Sequence, residues 1–193
     1  MSLEQIKKIR EITGAGMVDV KKALEEAGGK EEQAIEILRK SGQVKALKKS
    51  EREAKEGVIG SYVHSNCKIC AMVKLYCETD FVARNEEFRE LAKDIAMHIS
   101  AMNPKFLKPE DVDEKLIAKE REIWAEQMKD EKKPQEIMDK IMEGKEKKFR
   151  EEISLLTQLF VKNPDIKISD LINEKIGKIG EKIEIGEFIR FEL

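Results

Sequence analysis

The sequence predicts an α+β fold: a three-helix unit over residues 1–42, a charged linker over 43–56, and a core over 57–193 in which a small antiparallel sheet packs with helices. Three observations predict it. Apolar residues recur at helical spacing through the first 42 positions. The period drops to two between residues 57 and 78. A helical stripe returns at Phe88, and strand-like runs close the chain.

The first helix starts at Ser2, with Gln5 placed to complete a capping box. Leu3, Ile6, Ile9 and Ile12 follow at helical spacing, and Gly14-Ala15-Gly16 permits the break. A second helix carries Met17, Val20, Leu24 and Ala27 on one side and stops at Gly28-Gly29. A third spans 31–40, with Ala34, Ile37 and Leu38 inward and Gly42 closing it. Residues 43–56 mix Lys45, Lys48, Lys49 and Arg52 with Glu51, Glu53 and Glu56, as a solvated helical linker would. Residues 57–64 and 68–78 read as strand–turn–strand around Ser65-Asn66-Cys67. Ile69, Ala71, Val73, Leu75 and Cys77 share one face; Cys70, Met72, Lys74 and Tyr76 share the other. Asn85 can cap a helix whose stripe is Phe88, Leu91, Ala92, Ile95 and Ile99. Further helices are expected over 113–128, with Leu116, Ile123 and Trp124, and from Pro134 to about 156. A turn is expected at Asn163-Pro164, a short helix from Ser169 to Ile176, and strands at 183–185 and 188–193.

The 193 residues suit one ordinary domain, alone or with a small satellite. Apolar residues make up 40% but aromatics only 5%, so the core is aliphatic. Charged residues reach 39%, against about 25% in an average soluble protein. The signs nearly cancel, 37 basic against 39 acidic, which argues against direct nucleic-acid binding. No run is long enough for a membrane helix, and no signal or transit pattern opens the chain. Three cysteines do not make a disulfide framework. A cytoplasmic protein is expected.

Chemistry is thinly signalled. His64-x-x-Cys67-x-x-Cys70 invites a zinc or redox reading, but no fourth ligand follows in the pattern. A strand regular from Cys67 would send Cys67 and Cys70 to opposite faces. His98 sits beside the helical stripe without a nucleophile and orienting partner in recognisable array. Neither of the usual phosphate-cradling glycine motifs occurs. No catalytic residue, metal site or cofactor is expected. The remaining candidate is Glu78-Thr79-Asp80-Phe81-Val82-Ala83-Arg84-Asn85, which joins the best strand to the best helix. Phe81 either plugs its own core under the next helix or is carried outward into another protein. Large apolar side chains are mostly buried in their own fold, so the residues taken alone favour the plug.

Thr79-Asp80-Phe81-Val82-Ala83-Arg84-Asn85 resembles the signature of the elongation factor Ts family. Thr13-Gly14-Ala15-Gly16-Met17, with Asp19 and Lys21-Lys22-Ala23-Leu24, is similar to that family's N-terminal signature. Gly57-Val58-Ile59, Tyr62-Val63-His64-Ser65-Asn66, the stretch 91–99, Leu155-Leu156 with Gln158 and Phe160-Val161, and Phe191-Glu192 also look like the family. The likeness spans nearly the whole chain in order.

The resemblance implies a guanine-nucleotide exchange factor for elongation factor Tu, without covalent chemistry. It implies a ubiquitin-associated-like (UBA-like) N-terminal module that docks on the G domain of Tu, with Arg10, Met17 and Val18 at contact positions. It implies that the loop of Thr79, Asp80, Phe81 and Val82 enters that domain, the ring of Phe81 wedging between partner helices near the bound magnesium. Cys67 and Cys70 stand where the family commonly has glycine, and Val18 where it commonly has methionine. Longer members carry two related core halves and this chain carries one. A homodimer that binds two Tu molecules is therefore expected. Other readings are a redox or zinc protein built on His64, Cys67 and Cys70, and a helical docking or RNA-associated protein.

Overall fold

The computed structural model describes residues 2–129 and 134–193; Met1, residues 130–133 and the side chain of Lys45 lie outside the described residues. Along the chain run α1 (Leu3–Thr13), α2 (Met17–Glu26), α3 (Glu31–Lys49), β1 (Glu56–Val63), β2 (Ile69–Cys77), α4 (Asp80–Arg84), α5 (Glu86–Met102), α6 (Glu114–Gln127), α7 (Gln135–Glu152), β3 (Leu159–Phe160), β4 (Asn163–Lys167), α8 (Ile168–Ile179) and β5 (Glu184–Glu192). They form the expected α+β architecture. Two compact units divide the chain: Met1–Ser100 with Ser169–Leu193, and Ala101–Ile168.

In the first unit, α1 opens with the capping box. The Gln5 N–H donates to Ser2 Oγ at 3.1 Å, and the Ser2 N–H donates to Gln5 Oε1 at 2.9 Å. Gly14 ends the helix in the left-handed region at φ 64°, where glycine escapes the Cβ clash. Helices α1 to α3 close around Ile9, Val20, Ala23, Leu24, Ala27, Ala34 and Leu38. Not every residue of the helical apolar pattern joins the core. Leu3 and Ile12 are exposed, because residues three apart fall about 60° short of a full turn and the stripe drifts off the core on both sides of Ile6 and Ile9. Met17, at the open start of α2, also faces water. Nor does Gly42 end the third helix, which runs on to Lys49. One glycine costs a helix only about 1 kcal/mol. Here α8 packs alongside, so that a Cβ on Gly177 would lie 3.8 Å from Gly42 Cα.

The sheet has the order β1-β2-β5, with both pairings antiparallel. The alternation of β2 holds: Ala71, Val73, Leu75 and Cys77 are buried, while Met72 and Lys74 are exposed. The two expected C-terminal strands are one. Val73 pairs with Phe188 and Leu75 with Ile185, so β5 carries one extra residue, a bulge at Gly186-Glu187. The Glu187 carboxylate reaches back to Lys74 Nζ at 2.7 Å.

Helix α5 covers the inner face of this sheet. Its stripe of Phe88, Leu91, Ala92, Ile95, Ala96 and Ile99 is buried. Midway along, it meets β1 so closely that a Cβ on Gly60 would stand 2.3 Å from the Ala92 carbonyl oxygen. Near its C-terminal end, Arg190 Nε of β5 donates to the Ser100 carbonyl at 3.0 Å. Among the described residues of this unit no helix covers the outer face, and Ile59, Val63, Met72, Ile189 and Phe191 are exposed there.

In the second unit, α6 starts at Asp113, whose carboxylate accepts the Lys115 N–H at 2.9 Å. Trp124 of α6 meets Phe149 of α7 edge to face, 5.8 Å between centroids. Arg150 of α7 binds Glu114 at 2.6 Å and Glu146 at 2.9 Å. Helix α7 ends at Glu152, four residues before the expected end, where Ser154 bridges Phe106. Asn163-Pro164 is not the turn. Asn163 pairs with Phe160, and the reversal falls on Val161-Lys162. A proline is tolerated in so short, two-stranded a hairpin because it can sit at an edge that needs no N–H donor. Ser169 lies within α8, which starts one residue earlier.

Gly60→Ala is expected to destabilise the fold by about 1–3 kcal/mol, since the new methyl group meets helix backbone that cannot turn aside. A urea midpoint equal to that of the unmodified chain would show that α5 does not sit so tightly on β1.

Candidate partner-binding site

Strand β2 ends its core face at Cys77, and the chain must then turn to reach α5. It turns through α4, a helix of only five residues. Thr79 is its N-cap: the side-chain oxygen accepts the Val82 N–H at 3.4 Å. Asn85 ends it, and the Asn85 carboxamide oxygen accepts the Glu87 N–H at 2.8 Å, starting α5. The sequence signal for a helix start at Asn85 was therefore sound, but a separate turn of helix precedes it. Helical residues two apart point roughly opposite ways. Ala83 is buried under α4, and Phe81 accordingly stands 81% exposed. The ring does not plug its own core. Asp80 and Arg84 pair at 3.1 Å across the same turn, so the ring stands on a helix bearing one carboxylate and one guanidinium. Val82 is partly buried.

The support for this corner comes from the far end of the sequence. Glu181, between α8 and β5, accepts the backbone N–H groups of Glu78 and Thr79, each at 3.1 Å, on Oε2. Its Oε1 accepts the Thr79 hydroxyl at 2.6 Å. In return the Glu78 carboxylate accepts the Lys182 N–H at 2.6 Å, and Arg52 Nη1 approaches it at 3.4 Å. None of Glu181, Lys182 or Arg52 carries a local sequence signal for this role. Contacts spanning about 100 residues leave no periodic trace.

The N-terminal module presents a second surface. Arg10 is exposed in the last turn of α1. Met17 and Val18, in the first turn of α2, are 59% and 67% exposed. The placement of Met17 that spoils it as a core residue suits it to contact.

The cysteine and histidine positions separate. Cys67 lies in the β1–β2 turn before the strand begins, at φ 55°, a backbone setting that suits glycine. Cys70 lies on the outer face of β2, opposite Val63 and Phe191. The Tyr62 hydroxyl and His64 Nδ1 are 3.2 Å apart. His98 is fully buried within α5. Among the described residues, no group of three His, Cys, Asp or Glu side chains could hold a metal ion.

Cys77 is the buried thiol nearest the corner, and its Sγ donates to the Thr79 carbonyl at 3.2 Å. Burial, reinforced by the neighbouring Glu181 charge, pushes it from 9.0 up to about 11. The unfolded chain thus ionises first, so the contribution of Cys77 to stability holds below pH 9.0 and is lost as pH climbs towards 11. An alkylating reagent at pH 8 is expected to mark exposed Cys67 in the native chain and to reach Cys77 only after unfolding. Equal labelling of the two, read by peptide mass, would contradict a closed core face on β2.

Comparison with known proteins places the whole chain. The Elongation factor TS family model matches residues 3–193. The elongation factor Ts of Thermodesulfovibrio yellowstonii is 53% identical over 193 residues, covering 100% of this chain and 96% of that protein. That of Thermosipho melanesiensis is 52% identical over 191 residues, covering 99% and 97%. That of Fervidobacterium nodosum is 50% identical over 193 residues, covering 100% and 98%. With the family model and full-length relatives in agreement, this chain belongs to the elongation factor Ts family.

Proposed function

We infer that this chain is a guanine-nucleotide exchange factor for elongation factor Tu in translation elongation. It binds Tu·GDP, hastens GDP release, and gives way as GTP binds. The observation that carries the mechanism is Phe81, a large apolar ring held in water on a capped turn of helix. Removing an exposed aromatic costs its own fold little, so a role for it lies with a partner.

The mechanism is linkage. A factor that prefers nucleotide-free Tu must weaken nucleotide binding by the same ratio. Burying the Phe81 ring in the G domain supplies about 1.5–3 kcal/mol. Each ~1.4 kcal/mol corresponds to tenfold in equilibrium. The ring, flanked by Thr79, Asp80 and Val82, displaces groups that hold magnesium and phosphate, and Asp80 contributes polar contacts that seat the loop. No bond is made or broken, so no catalytic residue or cofactor is called for. Arg10, Met17 and Val18 dock the UBA-like module of residues 1–42 on the same domain, and 43–56 links it to the core of 57–193.

The core of two chains completes itself by pairing. The outer sheet face, with Ile59, Val63, Met72, Ile189 and Phe191 exposed, is the surface that supports this reading. Scattered surface leucines and isoleucines are ordinary, but a contiguous apolar sheet face marks an interface. The dimer carries two Tu molecules and works in the cytoplasm, without direct nucleic-acid binding. No helix among the described residues is long and apolar enough to cross a membrane.

Phe81→Ala is expected to keep the stability of the parent chain and to lower the saturating rate of fluorescent-GDP release from Tu by about tenfold or more. Unchanged release would falsify the wedge. Light scattering of the isolated chain is expected to give twice the mass of one chain. A charge in place of Ile189 is expected to shift that mass towards one. A single-chain mass for the unmodified protein at micromolar concentration would rule the pairing out.

A further inference from the structure

A wedge is only as good as its mounting. Strand β2 ends at Cys77, paired with Glu56 of β1, so the N–H groups of Glu78 and Thr79 lie beyond the sheet pairing. Buried or half-buried backbone donors must be satisfied somewhere. Glu181 accepts the half-buried Glu78 N–H and the exposed Thr79 N–H on one oxygen, and the Thr79 hydroxyl on the other. The second effect matters more. A hydroxyl that donates to Glu181 must turn its lone pairs elsewhere, and the Val82 N–H lies on that side. One carboxylate thus sets both the position of Thr79 and the direction of the cap on the helix that carries Phe81. The reciprocal bond from the Lys182 N–H to Glu78 keeps Glu181 in place.

We propose that Glu181 is a positioning residue for nucleotide exchange, holding α4 so that Phe81 is aligned before the partner arrives. The role rests on the wedge reading above. Without the carboxylate, α4 is formed and oriented for only part of the time. Apparent affinity falls in proportion to that fraction, while the rate of the assembled complex is retained. A residue that touched the partner's nucleotide site would instead change the saturating rate.

The test uses the full chain, Tu and fluorescent GDP. Glu181→Ala is expected to raise the factor concentration for half-maximal release about tenfold, with the saturating rate within about twofold of the parent. In the free variant, the Val82 and Ala83 amides are expected to exchange hydrogen faster. Thr79→Val removes only the hydroxyl between Glu181 and Val82, and is expected to cost the Val82 amide the same protection from hydrogen exchange even if Glu181→Ala folds poorly. Combined with Glu181→Ala it adds less than its separate effect. Unchanged half-maximal concentration, unchanged Val82 protection, or full additivity overturns the role of Glu181. Phe81→Ala, run beside them, separates the two ideas: its loss of saturating rate upholds the wedge even where Glu181 proves idle.

Discussion

Ala83 is buried, and the single turn of helix that carries it leaves Phe81 no place but the solvent. Side chains two apart on a helix are about 200° apart, so one faces inward only if the other faces out. Turning Phe81 inward would lift Ala83 out and rotate Thr79 away from the Val82 N–H. It would also break the bond from the Asn85 N–H to the Val82 carbonyl at 2.9 Å. Each of these is a small term, of order 1 kcal/mol. Together they oppose the gain from hiding one ring, and Ala83, not Phe81, takes the buried position.

The corner is stiff because both sides of it are committed. On the strand side, β2 is the central strand, paired on both edges, with its inner residues fully buried down to Cys77. On the helix side, α5 is pinned to β1 where the Ala92 carbonyl leaves room only for Gly60, and to β5 through Arg190 and Ser100. Three residues connect the last buried thiol to the exposed ring. A displacement of the ring must therefore either bend α4 or move a strand that holds the sheet together. Force applied at the ring would thus pass into a core and not be absorbed by a loop.

What could be read from the residues was local. The capping box of α1, the alternation of β2 and the stripe of α5 each depend on neighbours within a few positions, and each appears where the spacing puts it. Helix α3 runs through Gly42 because α8, more than a hundred residues later, packs against it. The turn moves off Asn163-Pro164 because Phe160 and Asn163 pair. The outward ring of Phe81 went unread from the residues alone for a similar reason. General burial preference pulls a phenylalanine inward, and the opposing information lies in Ala83 and in Glu181, which acts from about 100 residues away. The family resemblance supplied the outward placement that local pattern could not.

The outer sheet face and the ring of Phe81, both left in water, differ in build. The outer face of β1, β2 and β5 spreads several aliphatic and aromatic side chains over three paired strands. Burial of such an area yields many times the free energy of one side chain and suits a partner that stays. Phe81 is a single ring beside an ion pair, good for about 1.5–3 kcal/mol when covered. That is enough to tilt an equilibrium tenfold to a hundredfold and too little to make a complex that cannot dissociate. An exchange factor must leave when GTP arrives. On the wedge reading proposed above, a larger apolar tip at this corner would open the nucleotide site more fully and then remain in it.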